Sequence, residues 1–555
     1  MNNIFTTADC FAICIVSFIA LATRLWLIAD PDLVTFDEVH FGNFTNWYIR
    51  KEFFFDIHPP LGKMIMATIA SWTQYKGDID YGSKFGLSYL HDELFFVSQR
   101  ITPAIFSAMT SPFIFAACRC ISLSTLSSFC AALILTTDIS LIVEGKYILS
   151  DGILHFFTAL HIFCLCLFLA DDFDFSATSL KSLAKPDPKS KLKSRSVLFH
   201  AIIDGITLGC ASACKYTALG LYAVDGMTQI FWIFIKKPKI LKIISRAFTI
   251  LFFSFLSLAI SWIWHFISLP FHGHGHEYIN KAYGSTIFPL NTVSYAYWGD
   301  RLIGSSLTER ILNWNIVMND INMKSSIPHP FESHPINWPL LMDRWVGFFS
   351  VESETRNVQC MGTPFVYWFV FIGICITVLI GALIIPLSIS SIVSFCQSFL
   401  SYIVSLFDTS PTSNYSNLNA IQKPETRYIV DWRNALLVWG WVVSYFPFVL
   451  IPRTMFLYHY LIPLMFGIMN LVAIIENLFR FNRVLQSAIV VSVSILCVLC
   501  FLFFSPWAYG TKCPDCRDTR MWTDRWILGP PMPIHNYGAD LFNTTEKYVK
   551  LPSLF

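Results

Sequence analysis

The chain has 555 residues, of which 54% are hydrophobic, 16% aromatic and only 14% charged, against roughly 25% charged in soluble domains. That composition describes a polytopic membrane protein and sets aside an ordinary soluble enzyme. A formal net charge of +2 leaves no basic field, and basic and aromatic residues do not interleave, so no nucleic-acid partner is expected.

Runs of about 17–25 apolar residues suit a bilayer crossing. Eleven occur, at about 10–29, 101–120, 124–144, 147–170, 199–214, 217–235, 245–269, 365–387, 434–451, 454–476 and 484–505, so the expected fold class is an all-α polytopic membrane protein. The first run has neither a basic leader nor a small-residue cleavage site, and Arg24 interrupts it; it reads as a retained span. Basic residues set orientation. Lys181 to Arg195, Lys236 to Arg246 and Arg480/Arg483 all fall on one side, the expected cytosolic one. Four regions follow: a transmembrane half over 1–269 that includes a lumenal loop at 30–100, a lumenal segment at 270–364, a second transmembrane half at 365–505 and a lumenal tail at 506–555. A further apolar run at 392–407 reads as a re-entrant or interfacial helix; if it spans, the orientation after it inverts.

The loop after the first span reads Thr35-Phe36-Asp37-Glu38-Val39-His40-Phe41-Gly42, then Phe55-Asp56-Ile57-His58-Pro59-Pro60-Leu61-Gly62-Lys63. Adjacent carboxylates suit a general base and a polar anchor. The plain reading of such a pair is a solvated loop. Here it follows a membrane span and precedes Trp47, Tyr48, Phe53, Phe54 and Phe55, expected at a headgroup interface, which favours a functional reading.

Other ionisable groups fall at span ends on the same side: Arg100, Glu144, Lys146, Asp151, Lys215, Arg453 and His459, with Tyr458 beside the last. Snorkelling explains any one of them. Four separate turns supplying cations beside an Asp-Glu loop suit a lipid phosphate held at the membrane surface. No Walker loop, dinucleotide fingerprint or His-Glu-x-x-His occurs. His272, His274 and His276 alternate, as a metal site or a polar turn would have them, and the turn is preferred. Cys513 and Cys516 form a lone Cys-x-x-Cys that fits a disulfide, half a metal site or neither; a local disulfide is favoured. The sequons at Asn43 and Asn543 fall lumenal and the one at Asn414 cytosolic.

Taken together, these residues resemble the protein O-mannosyltransferase family of dolichyl-phosphate-mannose-dependent enzymes. The Asp37-Glu38-Val-His40-Phe-Gly42 and Phe55-Asp56-Ile-His58-Pro59-Pro60-Leu-Gly62-Lys63 pair matches the family's first lumenal loop. Lys146-Tyr-Ile-Leu-Ser-Asp151 resembles its Arg-x-Ile-Leu-Leu-Asp segment, with Lys in place of Arg. His334-Pro335-Ile-Asn-Trp338-Pro339, Gly362-Thr-Pro364-Phe-Val-Tyr-Trp368 and Tyr458-His459-Tyr460 match its C-terminal half less strictly. The resemblance implies a C-type glycosyltransferase superfold with eleven spans and lumenal juxtamembrane helices. It also implies a multi-pass protein of the endoplasmic reticulum membrane with a lumenal active site, and a dimer with itself or a paralogue. Eukaryotic members usually carry a β-trefoil MIR domain between the seventh and eighth spans, for which 270–364 is too short. Tyr278, Tyr283, Tyr295, Tyr297, Trp298 and Trp314 in that segment are candidates to lie on the membrane or cover an acceptor groove, with plain packing as the alternative.

By resemblance, the reaction moves mannose from β-linked dolichyl phosphate mannose to a Ser or Thr hydroxyl of a secretory polypeptide, with inversion. Asp37 would accept the hydroxyl proton and Glu38 would orient acceptor or sugar. Arg100, helped by Lys215, Arg453 and His459, would stabilise the departing phosphate, with Asp151 in the same group. His58 and Lys63 either line the site or anchor the loop. No metal ligands are assigned, and a divalent metal is neither required nor excluded. The rivals are another polyprenyl-phosphosugar transferase, against which the long His-Pro-Pro motif argues, and a transporter or silent chaperone of the same fold. The charges sit at lumenal span ends rather than mid-membrane, and both carboxylates are present, which argues against the second.

Overall fold

A segment in hydrocarbon must satisfy its own backbone hydrogen bonds, so apolar runs become helices. The computed structural model describes residues 5–82, 86–89, 93–173, 195–275, 278, 306–324, 329–351, 355–387, 397, 403, 432–451 and 453–526. Its helices are α1 (Thr7–Leu25), α2 (Glu38–Arg50), α3 (Leu61–Trp72), α4 (Glu93–Cys120), α5 (Thr125–Thr136), α6 (Ile139–Lys146), α7 (Asp151–Asp172), α8 (Arg195–Cys214), α9 (Gly220–Lys236), α10 (Ile240–Ser268), α11 (Leu307–Lys324), α12 (Pro364–Leu387), α13 (Trp432–Leu450), α14 (Leu461–Leu478), α15 (Arg483–Tyr509) and α16 (Cys516–Arg520). Among the described residues nine helices are long and apolar enough to cross a bilayer. The bent pair α5–α6 adds a tenth, and the shorter apolar stretch Leu198–Cys214 completes the eleven expected runs. The 392–407 run lies almost wholly outside the described residues.

The third expected run, 124–144, is broken rather than straight: α5 and α6 meet at 59°. Asp138 causes the break by capping α6, accepting from the Leu141 amide at 3.0 Å, and by taking the Thr363 amide from the start of α12 at 3.0 Å. Arg24, the charge that interrupts the first run, is fully buried and donates to the Thr136 carbonyl at 2.7 Å. A cation there meets the negative end of α5. In α8, Gly205-Ile-Thr-Leu-Gly209 lets α10 approach closely. A Cβ at Gly205 would lie 2.4 Å from the Ile250 carbonyl oxygen, and one at Gly209 2.3 Å from that of Ser254.

The connections between α1 and α4 and between α10 and α12 carry two small sheets. Strand β1 (Glu52–Phe54) pairs in parallel with β2 (Phe271–His274), and β3 (Val346–Val351) forms an antiparallel hairpin with β4 (Arg356–Cys360). The aromatic run expected at the headgroups is interior instead: Phe53 and Phe54 are fully buried, and Tyr48 and Phe55 nearly so. Strand pairing and α11 cover them; Trp314 of α11 packs on Phe53, Phe55 and His265, and Tyr278 stacks on Phe55. Trp314 is thus core, while Tyr283, Tyr295, Tyr297 and Trp298 lie outside the described residues. His272 and His274 lie in strand β2 rather than in the expected polar turn, and His274 stacks on Trp47 at 4.3 Å; His276 lies outside the described residues. Asn43 sits within α2 and donates its side-chain amide to the carbonyls of Val39 and Gly82. Asn414 and Asn543 are outside the described residues. Cys513 and Cys516 form the favoured disulfide.

Candidate active site

The loop leaving α1 turns into α2 through a strained residue. Phe36 has φ +42°, a left-handed conformation uncommon for a bulky side chain, and its ring is held by stacking on Phe348 at 4.6 Å. This sets Asp37 at the N-cap of α2. An Asp there normally accepts from the helix amides, but Asp37 makes no side-chain cap; its carbonyl alone takes the His40 and Phe41 amides. Among the described residues its carboxylate accepts no hydrogen bond, and the residue is half-buried at the foot of the loop. Desolvation raises its pKa, reinforced by the charges of Asp151 and Asp56 and opposed by those of His40 and Lys215. The result is an uncommitted carboxylate with a raised pKa, which suits a general base.

Glu38 is the opposite case. It is fully buried, and Arg100 grips both its oxygens, Nε to Oε1 at 2.7 Å and Nη2 to Oε2 at 2.8 Å. The Thr35 amide and hydroxyl, the Tyr89 hydroxyl and the Ile148 amide also donate to it. Arg100 donates further to the carbonyls of Ile28, Pro31 and Leu33, so all five of its N–H groups are taken. Its guanidinium lies among the rings of Tyr147, Phe96 and Tyr89. The expected roles of Arg100 on a phosphate and Glu38 on a substrate therefore do not fit this geometry: neither has a donor or acceptor to spare. The pair instead ties the Asp37 loop to α4 and to the α6–α7 turn.

Of the cations expected to converge, Lys215 and Arg453 do so with His459 around His58, whereas Arg100 is held by Glu38 and Lys146 donates to the Asp30 carbonyl at 3.4 Å. Lys215, at the end of α8, bonds Asp151 at the start of α7 at 3.0 Å, and its ammonium lies 4.9 Å from the centre of the Tyr458 ring. His459 is buried, stacked on Tyr458 and Trp338, with Nδ1 2.9 Å from the Phe456 carbonyl oxygen. Burial and the charges of Lys215, Lys63, Arg453 and His459 hold the half-buried His58 well below the ordinary imidazole pKa. Arg453 donates Nη1 to Asn322 and Nε to the Thr454 carbonyl; among the described residues its other donors are uncommitted. It borders a cavity of about 560 Å³ between the 332–344 segment and the end of α13, lined also by His334, Arg344 and Phe448. Asp37 does not line that cavity. Lys63 pairs with Asp56 and donates to the His58 carbonyl at 2.9 Å. Of its two sequence readings, this geometry fits loop anchoring.

Sequence reasoning missed Asn322, Tyr89 and Cys360, whose thiol donates to the buried Glu144 at 3.3 Å. No spacing or motif distinguishes an Asn, a Tyr or a Cys in such segments. Among the described residues no group of three His, Cys, Asp or Glu is arranged to hold a metal ion.

The class of protein that this structure defines is a multi-span helical membrane protein with a carboxylate loop and cations gathered near one another. The yeast protein O-mannosyltransferase Pmt1–Pmt2 complex, solved bound to its sugar donor, shares the fold: TM-score 0.73, 18% identity, covering 97% of this chain and 95% of that one. Residues 14–278 match the dolichyl-phosphate-mannose-protein mannosyltransferase family model, and residues 307–526 match the C-terminal four-transmembrane region of protein O-mannosyltransferases. The chain belongs to the protein O-mannosyltransferase family. It is 32% identical over 216 residues to dolichyl-phosphate-mannose–protein mannosyltransferase 3 of Saccharomyces cerevisiae, covering 39% of this chain and 26% of that protein. It is 25% identical over 285 residues to mannosyltransferase 4 of Candida albicans, covering 50% and 35%, and 34% identical over 158 residues to protein O-mannosyl-transferase 2 of Danio rerio, covering 28% and 20%. The matched stretches thus span about a third or less of each of these relatives.

Proposed function

We propose that this chain transfers mannose from dolichyl phosphate mannose to Ser and Thr hydroxyls of polypeptides in the lumen of the endoplasmic reticulum. The observation that carries the proposal is the contrast between Asp37, uncommitted, and Glu38, saturated, in a family member whose two matched regions together take in both halves of the chain. Asp37 takes the proton of the acceptor hydroxyl as its oxygen forms a bond to the anomeric carbon. The bond from that carbon to the phosphate oxygen breaks, and the phosphate leaves with the dolichol. One displacement on one carbon inverts a β donor to an α product. Arg453, with donors to spare, and Lys215 face the leaving phosphate; His58 and His459 offer ring nitrogens to the sugar or phosphate. The lipid tail lies between spans. The segment 270–364 stands in place of a trefoil domain, and the chain works as a dimer, with itself or with a paralogue as in the yeast complex.

The test is transfer from synthetic dolichyl phosphate mannose to a Ser/Thr-rich peptide by the purified full chain with any co-purifying subunit, with the product's anomeric configuration read by linkage-specific mannosidase. α-Mannosyl peptide is expected. A β product, or no product with every candidate subunit, would overturn the proposal.

A further inference from the structure

Helix α11 reaches the neighbourhood of three predicted site residues that come from distant parts of the chain. Trp314 donates to the carbonyl of Asp56 at 3.2 Å, and Asn322 to that of Ile57 at 3.1 Å, the two residues before His58. Asn315 accepts from the hydroxyl of Tyr216, the residue after Lys215. Asn322 also accepts from Nη1 of Arg453. Both N–H groups and the oxygen of its carboxamide are employed: one N–H on the Ile57 carbonyl, one on the Met318 carbonyl at 2.9 Å within α11, and the oxygen on Arg453.

We propose that Asn322 is a positioning residue of the transfer site, its carboxamide fixing the His58 loop and the Arg453 guanidinium in one register. Two observations support a positioning role over plain helix packing. The bonds from Asn322 run to a backbone carbonyl next to one site residue and to the side chain of another, so a single amide sets the distance between them. Arg453 is half-buried and takes no carboxylate within salt-bridge distance among the described residues, so Asn322 is its only side-chain restraint there. An arginine side chain has many rotamers, and an uncharged partner orients it without neutralising it, leaving its charge for an anion. A carboxylate in the same place would compete with a phosphate. Trp314 holds the helix by burial, which leaves Asn322 free to act on orientation alone.

The inference rests on the mannosyl-transfer reading, and the experiment separates the two. Wild type, Asn322→Ala, Asn322→Asp, Arg453→Ala and Asn322→Ala/Arg453→Ala are purified as the full chain with any partner subunit. Transfer kinetics and amide hydrogen exchange are then measured on each. Misplacement of a site group by about 1 Å can cost on the order of 100-fold, so Asn322→Ala is expected to lower kcat/KM for the donor by roughly 10- to 100-fold. The double variant should lose clearly less than the product of the two single losses, because part of the Asn322 effect acts through the Arg453 guanidinium. Exchange should rise at residues 56–58 and 453–456 and stay unchanged in α4 and α7. Asn322→Asp retains the oxygen on Arg453 and places a charge on it, so it should keep hydrogen-exchange protection at 453–456 while raising the donor KM; this variant decides the matter if Asn322→Ala does not fold. Wild-type kinetics in Asn322→Ala, or multiplicative losses in the double variant, would overturn the inference. A wild type with no transfer activity would instead overturn the reading beneath it, and the exchange pattern would still report whether Asn322 holds the two loops.

Discussion

Replacing Arg100 with Ala separates two accounts of the same residue. If Arg100 binds the donor phosphate, its removal weakens donor binding and leaves the fold intact. The geometry predicts the reverse order of events. Arg100 and Glu38 have no exposed side-chain surface, and the guanidinium supplies two of the six hydrogen bonds to the carboxylate. Breaking a buried pair from one side costs about 3–5 kcal/mol, because the remaining charge stays buried. The carbonyls of Ile28, Pro31 and Leu33 lose their donor as well; each buried acceptor left unsatisfied costs about 1–3 kcal/mol, reduced where water enters the space. A loss of at least 3–5 kcal/mol is therefore expected, with most of it at the loop that carries Asp37. The assay is thermal unfolding of wild type, Arg100→Ala, and a double variant Arg100→Met/Glu38→Leu in detergent. Arg100→Ala should unfold several degrees below wild type, and the double variant, which removes both charges, should recover a large part of the difference. An Arg100→Ala protein with wild-type thermal stability and a raised donor KM would refute the anchoring account.

The Asp37 carboxylate must be ionised to act as a base, so kcat/KM should fall as pH drops through its folded-state pKa, and burial places that midpoint above the ordinary 3.8; a profile that breaks at or below 3.8 would contradict this. The same raised pKa means that the folded state holds the proton more tightly than the unfolded chain, so this group's contribution to stability declines as pH rises from 3.8 through the folded value. At neutral pH, Asp37→Asn should accordingly unfold no earlier than wild type, which a thermal melt at two pH values checks. Cys360→Ala removes the thiol that donates to Glu144 and should destabilise by about 1–3 kcal/mol, with Cys360→Ser, which restores a donor, recovering stability in the same melt.

Much of this architecture is legible in the sequence because membrane spans carry a strong one-dimensional signal. The eleven apolar runs each correspond to helix, and Asp37, His58, Lys215, Asp151, Arg453 and His459 gather near one another. The bend at Asp138 was not legible, since the carboxylate that caps α6 also accepts from the Thr363 amide, 225 positions away. Phe53 to Phe55 looked like interfacial aromatics because composition cannot tell a headgroup from a covering helix. The two members of the Asp37–Glu38 pair looked alike, yet they differ wholly in their partners. That difference arises from Arg100, Tyr89 and Ile148, which the chain brings in from separate turns. Asn322 carried no signal, because its use depends on Ile57 and Arg453 lying on either side of it.

The central claim is that an uncommitted Asp37 performs base catalysis of mannosyl transfer. The most direct measurement is the rate of mannose transfer from dolichyl phosphate mannose to a Ser/Thr peptide by purified wild type and Asp37→Asn, with folding checked by thermal unfolding. General-base removal typically costs about 10²–10⁴-fold, so a folded Asp37→Asn protein should lose transfer by at least about 100-fold while still binding donor. A folded Asp37→Asn protein that transfers mannose within a few-fold of wild type would contradict the account.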